Sequence, residues 1–151
     1  VIAPHEFDDA RIARLKELFP GAVTYTGAEK TPSLVDSAKV LVMNCFGLLS
    51  SAYTYADMAY VGGGFGAGLH NINEAAVYGI PVIYGPNNRK FIEARELREA
   101  GGGFEVTDAD TFAKTAGVLL DEEIRCTAGE KASAYIRSKL GATDRIFRDL
   151  L

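Results

Sequence analysis

Short apolar runs alternate along this chain with segments whose apolar positions recur at helical spacing, and the alternation predicts most of the elements. A helix is predicted over 7–19, with Phe7, Ala10, Ile12, Leu15, Leu18 and Phe19 on its inward side and Asp8 and Asp9 where the helix dipole favours acid. Pro20-Gly21 ends it. Residues 22–25 read as a short strand, 26–37 as a polar loop or helical turn carrying Pro32, and 39–44 as the clearest strand, apolar on both faces like a central parallel strand. A helix over 47–56 leads through Asp57 into a strand over 58–61. A second buried strand follows at 81–84, closed by the turn Gly85-Pro86-Asn87-Asn88. The charged segment 91–100 is an amphipathic helix with Ile92 and Leu97 inward, ended by Gly101-Gly102-Gly103, and a last short strand follows at 104–106. Asp108-Ala109-Asp110 caps a helix through Leu120, and 121–151 is helical with a break near Gly141.

Strands and helices taking turns in this way, joined by short turns rich in glycine and proline, give an α/β fold: an open parallel sheet with helices on both faces. Ligands of such sheets bind beyond the carboxyl ends of the strands. The loops after Ala3, Asn44, Val61 and Tyr84 therefore hold the candidate chemistry.

The loop after Val61 stands out, with Gly62, Gly63, Gly64, Gly66 and Gly68 followed by His70, Asn71 and Glu74. A strand, a glycine loop and a helix starting near His70 would leave backbone N–H groups free to meet a phosphate, and glycines let it approach the main chain. A purely structural glycine turn is the competing reading. Gly62-x-Gly64-x-x-Ala67 also fits the loose dinucleotide-binding pattern. We reject that pattern because the helix begins too late for it and the next strand ends Tyr84-Gly85, without an acidic residue for a ribose. A spacing of four puts His70 and Glu74 on one helical face with Asn71 beside them, so that imidazole and amide could meet an anion and the carboxylate a diol. His70 as a simple cap, and Glu74 as a partner of the dipole, are the structural alternatives.

Elsewhere on the same edge, His5 after Pro4 could donate to a phosphate or cap the following helix. Asn44 and Gly47 occupy the matching position after the second long strand. Arg89 and Lys90 put two positive charges beside the glycine loop, as ligand contacts or as a solvated pair. No Ser-His-Asp or Cys-His order stands out, and no third ligand joins His70 and Glu74 at metal-binding spacing.

Composition narrows the field. A length of 151 residues with 48% hydrophobic content supports one domain with a real core. A net charge of -4 argues against a nucleic-acid surface. Cys45 and Cys126 read as inert core thiols of a reducing cytoplasm. No apolar run approaches the roughly 18 residues that span a bilayer. The chain starts without methionine inside a strand-like Val1-Ile2-Ala3, so it reads as a piece of a longer protein.

Val61-Gly62-Gly63-Gly64, Gly68-Leu69-His70-Asn71-Ile72-Asn73-Glu74-Ala75-Ala76 and Gly79-Ile80-Pro81-Val82-Ile83-Tyr84-Gly85-Pro86 together resemble the bacterial 3-deoxy-D-manno-octulosonic acid (Kdo) transferases of lipopolysaccharide synthesis. The resemblance covers nearly the whole chain and implies a Rossmann-like three-layer sandwich, the C-terminal donor-binding half of a GT-B glycosyltransferase. It implies CMP-Kdo as donor, a lipid A precursor as acceptor, no cofactor or metal, and work at the cytoplasmic face of the inner membrane. By the same resemblance His70 and Asn71 hold the phosphate, Glu74 the ribose hydroxyls, and Pro4, His5, Asn44 and Gly47 the rest of the nucleotide. Gly63, Gly64, Gly66 and Gly68 admit the ligand to the main chain, and Arg89 adds positive charge. The family's catalytic carboxylate, membrane anchor and most of its acceptor site belong to an N-terminal domain, so this polypeptide is expected to be inactive alone. A UDP-sugar transferase or epimerase of the same fold, or a non-catalytic nucleotide-binding module, are the alternatives.

Overall fold

The computed structural model describes residues 1–66, 68–141 and 147. The chain divides into two compact units, Val1–Ala52 and Tyr53–Leu151.

In the first unit, α1 (Asp9–Leu18) is followed by β1 (Val23–Thr24), α2 (Tyr25–Lys30), a 3-10 turn at Pro32–Val35, β2 (Leu41–Val42) and α3 (Leu49–Ala52). Asp8 is the N-cap of α1, its Oδ1 accepting from Arg11 N at 2.7 Å. β1 runs parallel to β2 with Val23 opposite Leu41, and Ile2 adds a parallel bridge to Val42. Val42 is fully buried, as a residue paired on both sides should be.

The second unit carries β3 (Ala59–Val61), α4 (Asn73–Ala76), β4 (Val82–Tyr84), α5 (Ile92–Ala100), β5 (Gly103–Glu105), α6 (Ala109–Val118) and α7 (Glu122–Lys139). The three strands are parallel in the order β3-β4-β5, with Val61, Tyr84 and Glu105 in register at their carboxyl ends. β4 is central, and all three of its residues are buried. Its side chains alternate between the faces. Val82 and Tyr84 pack with Ala75, Ala76, Leu97 and Ala132 of α4, α5 and α7, whereas Ile83 packs with Val106, Leu119 and Ala128.

The parallel strand direction and the order of strands follow the expectation from sequence. Other details differ. The strands form two sheets, β1-β2 and β3-β4-β5, where one was expected, and the helix expected over 47–56 is the short Leu49–Ala52 followed by a 3-10 turn at Tyr53–Tyr55. The helix after the glycine loop begins at Asn73, not near His70, and is a single turn. Ile92 is 59% exposed, and α5 turns Ala94 and Leu97 inward instead; only one of the two apolar positions can face the sheet, because Ile92 and Leu97 lie five residues apart on a 3.6-residue period. Cys126 is exposed and therefore no core thiol, while Cys45 is partly buried; both are free. The predicted helix beyond Gly141 falls, apart from Phe147, outside the described residues, as does Ala67 of the dinucleotide-like pattern.

Candidate functional site

In the second unit, β3 and β4 deliver two loops that are tied together by their backbones. The first is the glycine loop. Gly66 N donates to Gly63 O at 2.9 Å to make a turn, and His70 N donates to Gly62 O at 3.1 Å to close the loop at its base. Gly63 sits at φ +87°, and a Cβ there would collide with Gly68 O, so this turn requires glycine twice over. The second loop docks through Asn87, whose main-chain N donates to Gly64 O at 2.8 Å and whose Nδ2 donates to Gly66 O at 2.6 Å. The sequence marks Asn87 only as a turn residue; its function as a clamp depends on a partner more than twenty positions away.

Past the glycines, burial decides which side chains face out. Leu69 and Ile72 are buried and pin the segment to the core, leaving His70, Asn71 and Glu74 outside it. The imidazole of His70 lies over Gly62 and Gly63. Asn71 is the local organiser: its Oδ1 accepts from Asn73 N at 3.1 Å and its Nδ2 donates to Glu74 Oε1 at 3.0 Å. Asn71 and Glu74 thus form a polar pair on this surface, and His70, which precedes the helix, does not share a helical face with Glu74. A one-turn helix also brings little macrodipole, so an anion here would rely on loop amides and side chains. Burial first, and then the charge of Glu74, hold the Tyr53 hydroxyl above its ordinary pKa, which places that carboxylate within electrostatic reach of Tyr53. Asn73 Oδ1 is buried with no hydrogen-bond partner among the described residues, a condition that buried amides rarely keep.

Arg89 is placed otherwise. It lines a cleft of about 510 Å³ with Lys90, Arg95, Arg98 and Glu105, and none of Gly63, Gly64, Gly66, Gly68, His70, Asn71 or Glu74 lines it. In the sequence Arg95 and Arg98 belong to an ordinary charged helix face; the fold sets them beside Arg89 and Lys90.

In the first unit the loops after Ala3 and after Asn44 meet through Phe7 and Phe46, whose ring centroids lie 4.6 Å apart at 50°. Pro4 and His5 stand just before Phe7, and Gly47 just after Phe46 at φ +84° with open space around it. Asp8, not His5, caps α1. Asn44 stitches β2 to the start of α2, since its Oδ1 accepts from Thr26 N at 3.1 Å and its Nδ2 donates to Thr26 Oγ1 at 2.8 Å. Among the described residues, no group of three His, Cys, Asp or Glu side chains could hold a metal ion, and no helix is long and apolar enough to cross a membrane.

The chain is 38% identical over 109 residues to the 3-deoxy-D-manno-octulosonic acid transferase of Bordetella pertussis, a match covering 70% of this chain and 26% of that protein. It belongs to the Kdo transferase family. Against the Kdo transferases that it matches, the chain spans about a quarter of their length. Beyond the Kdo transferases, it is 29% identical over 125 residues to the UDP-N-acetylglucosamine--N-acetylmuramyl-(pentapeptide) pyrophosphoryl-undecaprenol N-acetylglucosamine transferase of Nocardioides sp., across 77% of this chain and 32% of that one. No protein-family model matches. Among solved structures it resembles the C-terminal CMP-Kdo binding domain of WaaA from Acinetobacter baumannii, with a TM-score of 0.67 and 20% identity over 86% of this chain and 69% of that one. That likeness shows the fold, the α/β arrangement with parallel strands that the Kdo transferase motifs in the sequence implied.

Proposed function

We propose that this chain is the donor-binding part of a Kdo transferase and that its ligand is CMP-Kdo. Membership of the family supports this, and so does the local build of the second unit: a glycine loop locked onto its neighbour, with His70, Asn71 and Glu74 outside the core at its end. In this reading the loop amides and His70 meet the phosphate, and the second N–H of the Asn71 amide joins them while the first stays on Glu74. The other oxygen of Glu74 takes the ribose hydroxyls, and Asn73 Oδ1 gains a partner when the ligand binds. For Pro4, His5 and Gly47 of the first unit we keep the nucleotide contacts that the sequence resemblance implies, with Asn44 shaping the loop that carries Gly47.

The chemistry asked of these residues is electrostatic. When the bond between the sugar and CMP breaks, its electron pair stays with the departing phosphate, whose negative charge grows. Donors fixed by the glycine loop and by Asn71 stabilise that charge without rearranging. The general base that deprotonates the acceptor, the lipid A precursor itself and attachment to the inner membrane are assigned in this proposal to parts of the protein beyond these residues, so the chain binds donor but transfers no sugar alone.

Calorimetric titration of this chain with CMP and with UDP tests the proposal. The expected result is CMP binding in preference to UDP, with the preference unchanged by chelator. Preference for UDP would move the chain to a UDP-sugar enzyme, the reading that the Nocardioides relative favours, and binding of neither nucleotide would end the donor assignment.

A further inference from the structure

The cleft beside α5 holds a concentration of positive charge that the donor site does not use. Arg89, Lys90, Arg95 and Arg98 line its roughly 510 Å³, against the single carboxylate of Glu105, in a chain whose net charge is -4. That carboxylate is already engaged. Its Oε2 accepts from Asn88 Nδ2 at 2.7 Å and from Arg98 Nη1 at 3.0 Å, and the buried Asn88 is itself fixed by donating to Gly85 O at 3.0 Å. Glu105 therefore positions Arg98 at the cleft and neutralises little else. Arg95 makes a long contact with Glu99, 3.9 Å between Nε and Oε1 on an exposed helix face, and its charge also bears on Glu96. Arg89 and Lys90 form no ion pair among the described residues. Four positive charges gathered with fewer counter-charges cost free energy, and a bound anion would relieve that cost. Guanidinium forks and an ammonium around one concavity suit a phosphate group, whose several oxygens accept many donors at once.

We propose that this cleft is a phosphate-binding site, built from residues other than the proposed CMP contacts at His70, Asn71 and Glu74. Its ligand carries a phosphate monoester or diphosphate, either on a soluble molecule or on a lipid headgroup; the exposed Ile92 on the rim could touch the apolar part of the latter. The site rests on the cleft alone and stands whether or not the donor proposal does.

The test titrates the chain at low ionic strength with inorganic pyrophosphate and, separately, with vesicles of phosphatidylglycerol in phosphatidylcholine. The double variant Lys90→Gln/Arg95→Gln is compared with wild type, with CMP affinity and the melting curve as controls of folding. Loss of about tenfold in pyrophosphate affinity in the variant, with CMP affinity kept, identifies a site for soluble phosphate. Vesicle binding that the variant loses, without measurable pyrophosphate binding, identifies a headgroup site. Equal binding of both probes by the variant and wild type, or binding of neither probe by wild type, overturns the proposal. A wild type that ignores CMP yet binds pyrophosphate through Lys90 and Arg95 would sink the donor proposal and leave this one standing.

Discussion

Gly64 and Gly85 touch through their main chains: a Cβ on Gly64 would lie 2.7 Å from Gly85 N, and a Cβ on Gly85 would lie 2.6 Å from the carbonyl carbon of Gly64. The glycine loop and the turn after β4 thus share one surface, which the Asn87 clamp then fastens. Neither of these two glycines has a side chain that could swing away.

Gly64→Ala or Gly85→Ala should therefore destabilise the chain by about 1–3 kcal/mol, the usual cost of forcing a methyl into a packed site. Gly62→Ala serves as the control, since its Cβ would meet nothing nearer than His70 Cδ2 at 3.8 Å. Urea denaturation of the three variants checks the ranking. Equal midpoints for Gly62→Ala and Gly64→Ala would show that the two loops can part without penalty.

Asn71 and Glu74 can be separated by substitution. Asn71→Ala removes the side-chain acceptor of Asn73 N and should cost about 0.5–1.5 kcal/mol of stability, the net worth of one hydrogen bond. Glu74→Ala leaves that bond in place and should barely change stability. If the donor proposal holds, it weakens CMP binding by roughly 1–3 kcal/mol through lost charge-assisted hydrogen bonds. CMP affinity equal to wild type, in a Glu74→Ala variant with a normal melting curve, would reduce the carboxylate to a partner of Asn71.

What can be read from the sequence and what cannot divides along a physical line. Local signals are reliable: the apolar run at β4, Gly101 at the end of α5 with φ +86°, and Asp108 as a cap whose Oδ1 accepts from Thr111 N at 2.7 Å. Signals that depend on tertiary partners fail. Helical periodicity from His70 onward does not reveal that Asn71 takes the Asn73 amide and delays the helix. Arg95 and Arg98 are exposed, as the sequence suggests, but nothing local says that they line one cleft with Arg89 and Lys90. The polar His70, Asn71 and Glu74 do face outward, but because the apolar Leu69 and Ile72 among them are buried rather than because they share a helical face.

Acid stability should report on Glu96. Its carboxylate accepts from Lys139 Nζ at 2.9 Å and from Tyr135 Oη at 3.1 Å, tying α5 to α7. The bond from Lys139 above all, then that from Tyr135, holds its pKa below the ordinary 4.5. A depressed carboxylate contributes stability that is complete above its unfolded value and is lost as pH falls through the folded one. Wild type should thus lose part of its stability below about pH 4.5, and Glu96→Gln should lower stability at neutral pH while flattening that acid limb. Parallel acid limbs in urea midpoints of the two proteins would assign the loss to other carboxylates, such as Asp108, whose pKa the Thr111 amide also lowers.

Tyr84 gives the corresponding test at alkaline pH. It is fully buried at the carboxyl end of β4, and its hydroxyl donates to Ala94 O at 2.6 Å, joining the central strand to α5. Burial pushes its pKa up from 10.0 to about 12, outweighing the opposing pull of Arg98. A phenol whose folded pKa is raised contributes stability that is complete below its unfolded value of 10.0 and is lost as pH climbs through about 12. Tyr84→Phe deletes the hydrogen bond but keeps the ring, so the variant should lose only about 0.5–1.5 kcal/mol near neutral pH. As pH rises beyond 10 the wild type should weaken towards the variant and the two urea midpoints should converge. A constant gap between them across that range would mean that the phenol ionises equally in the folded and unfolded states, and that the hydroxyl of Tyr84 takes no part in alkaline unfolding.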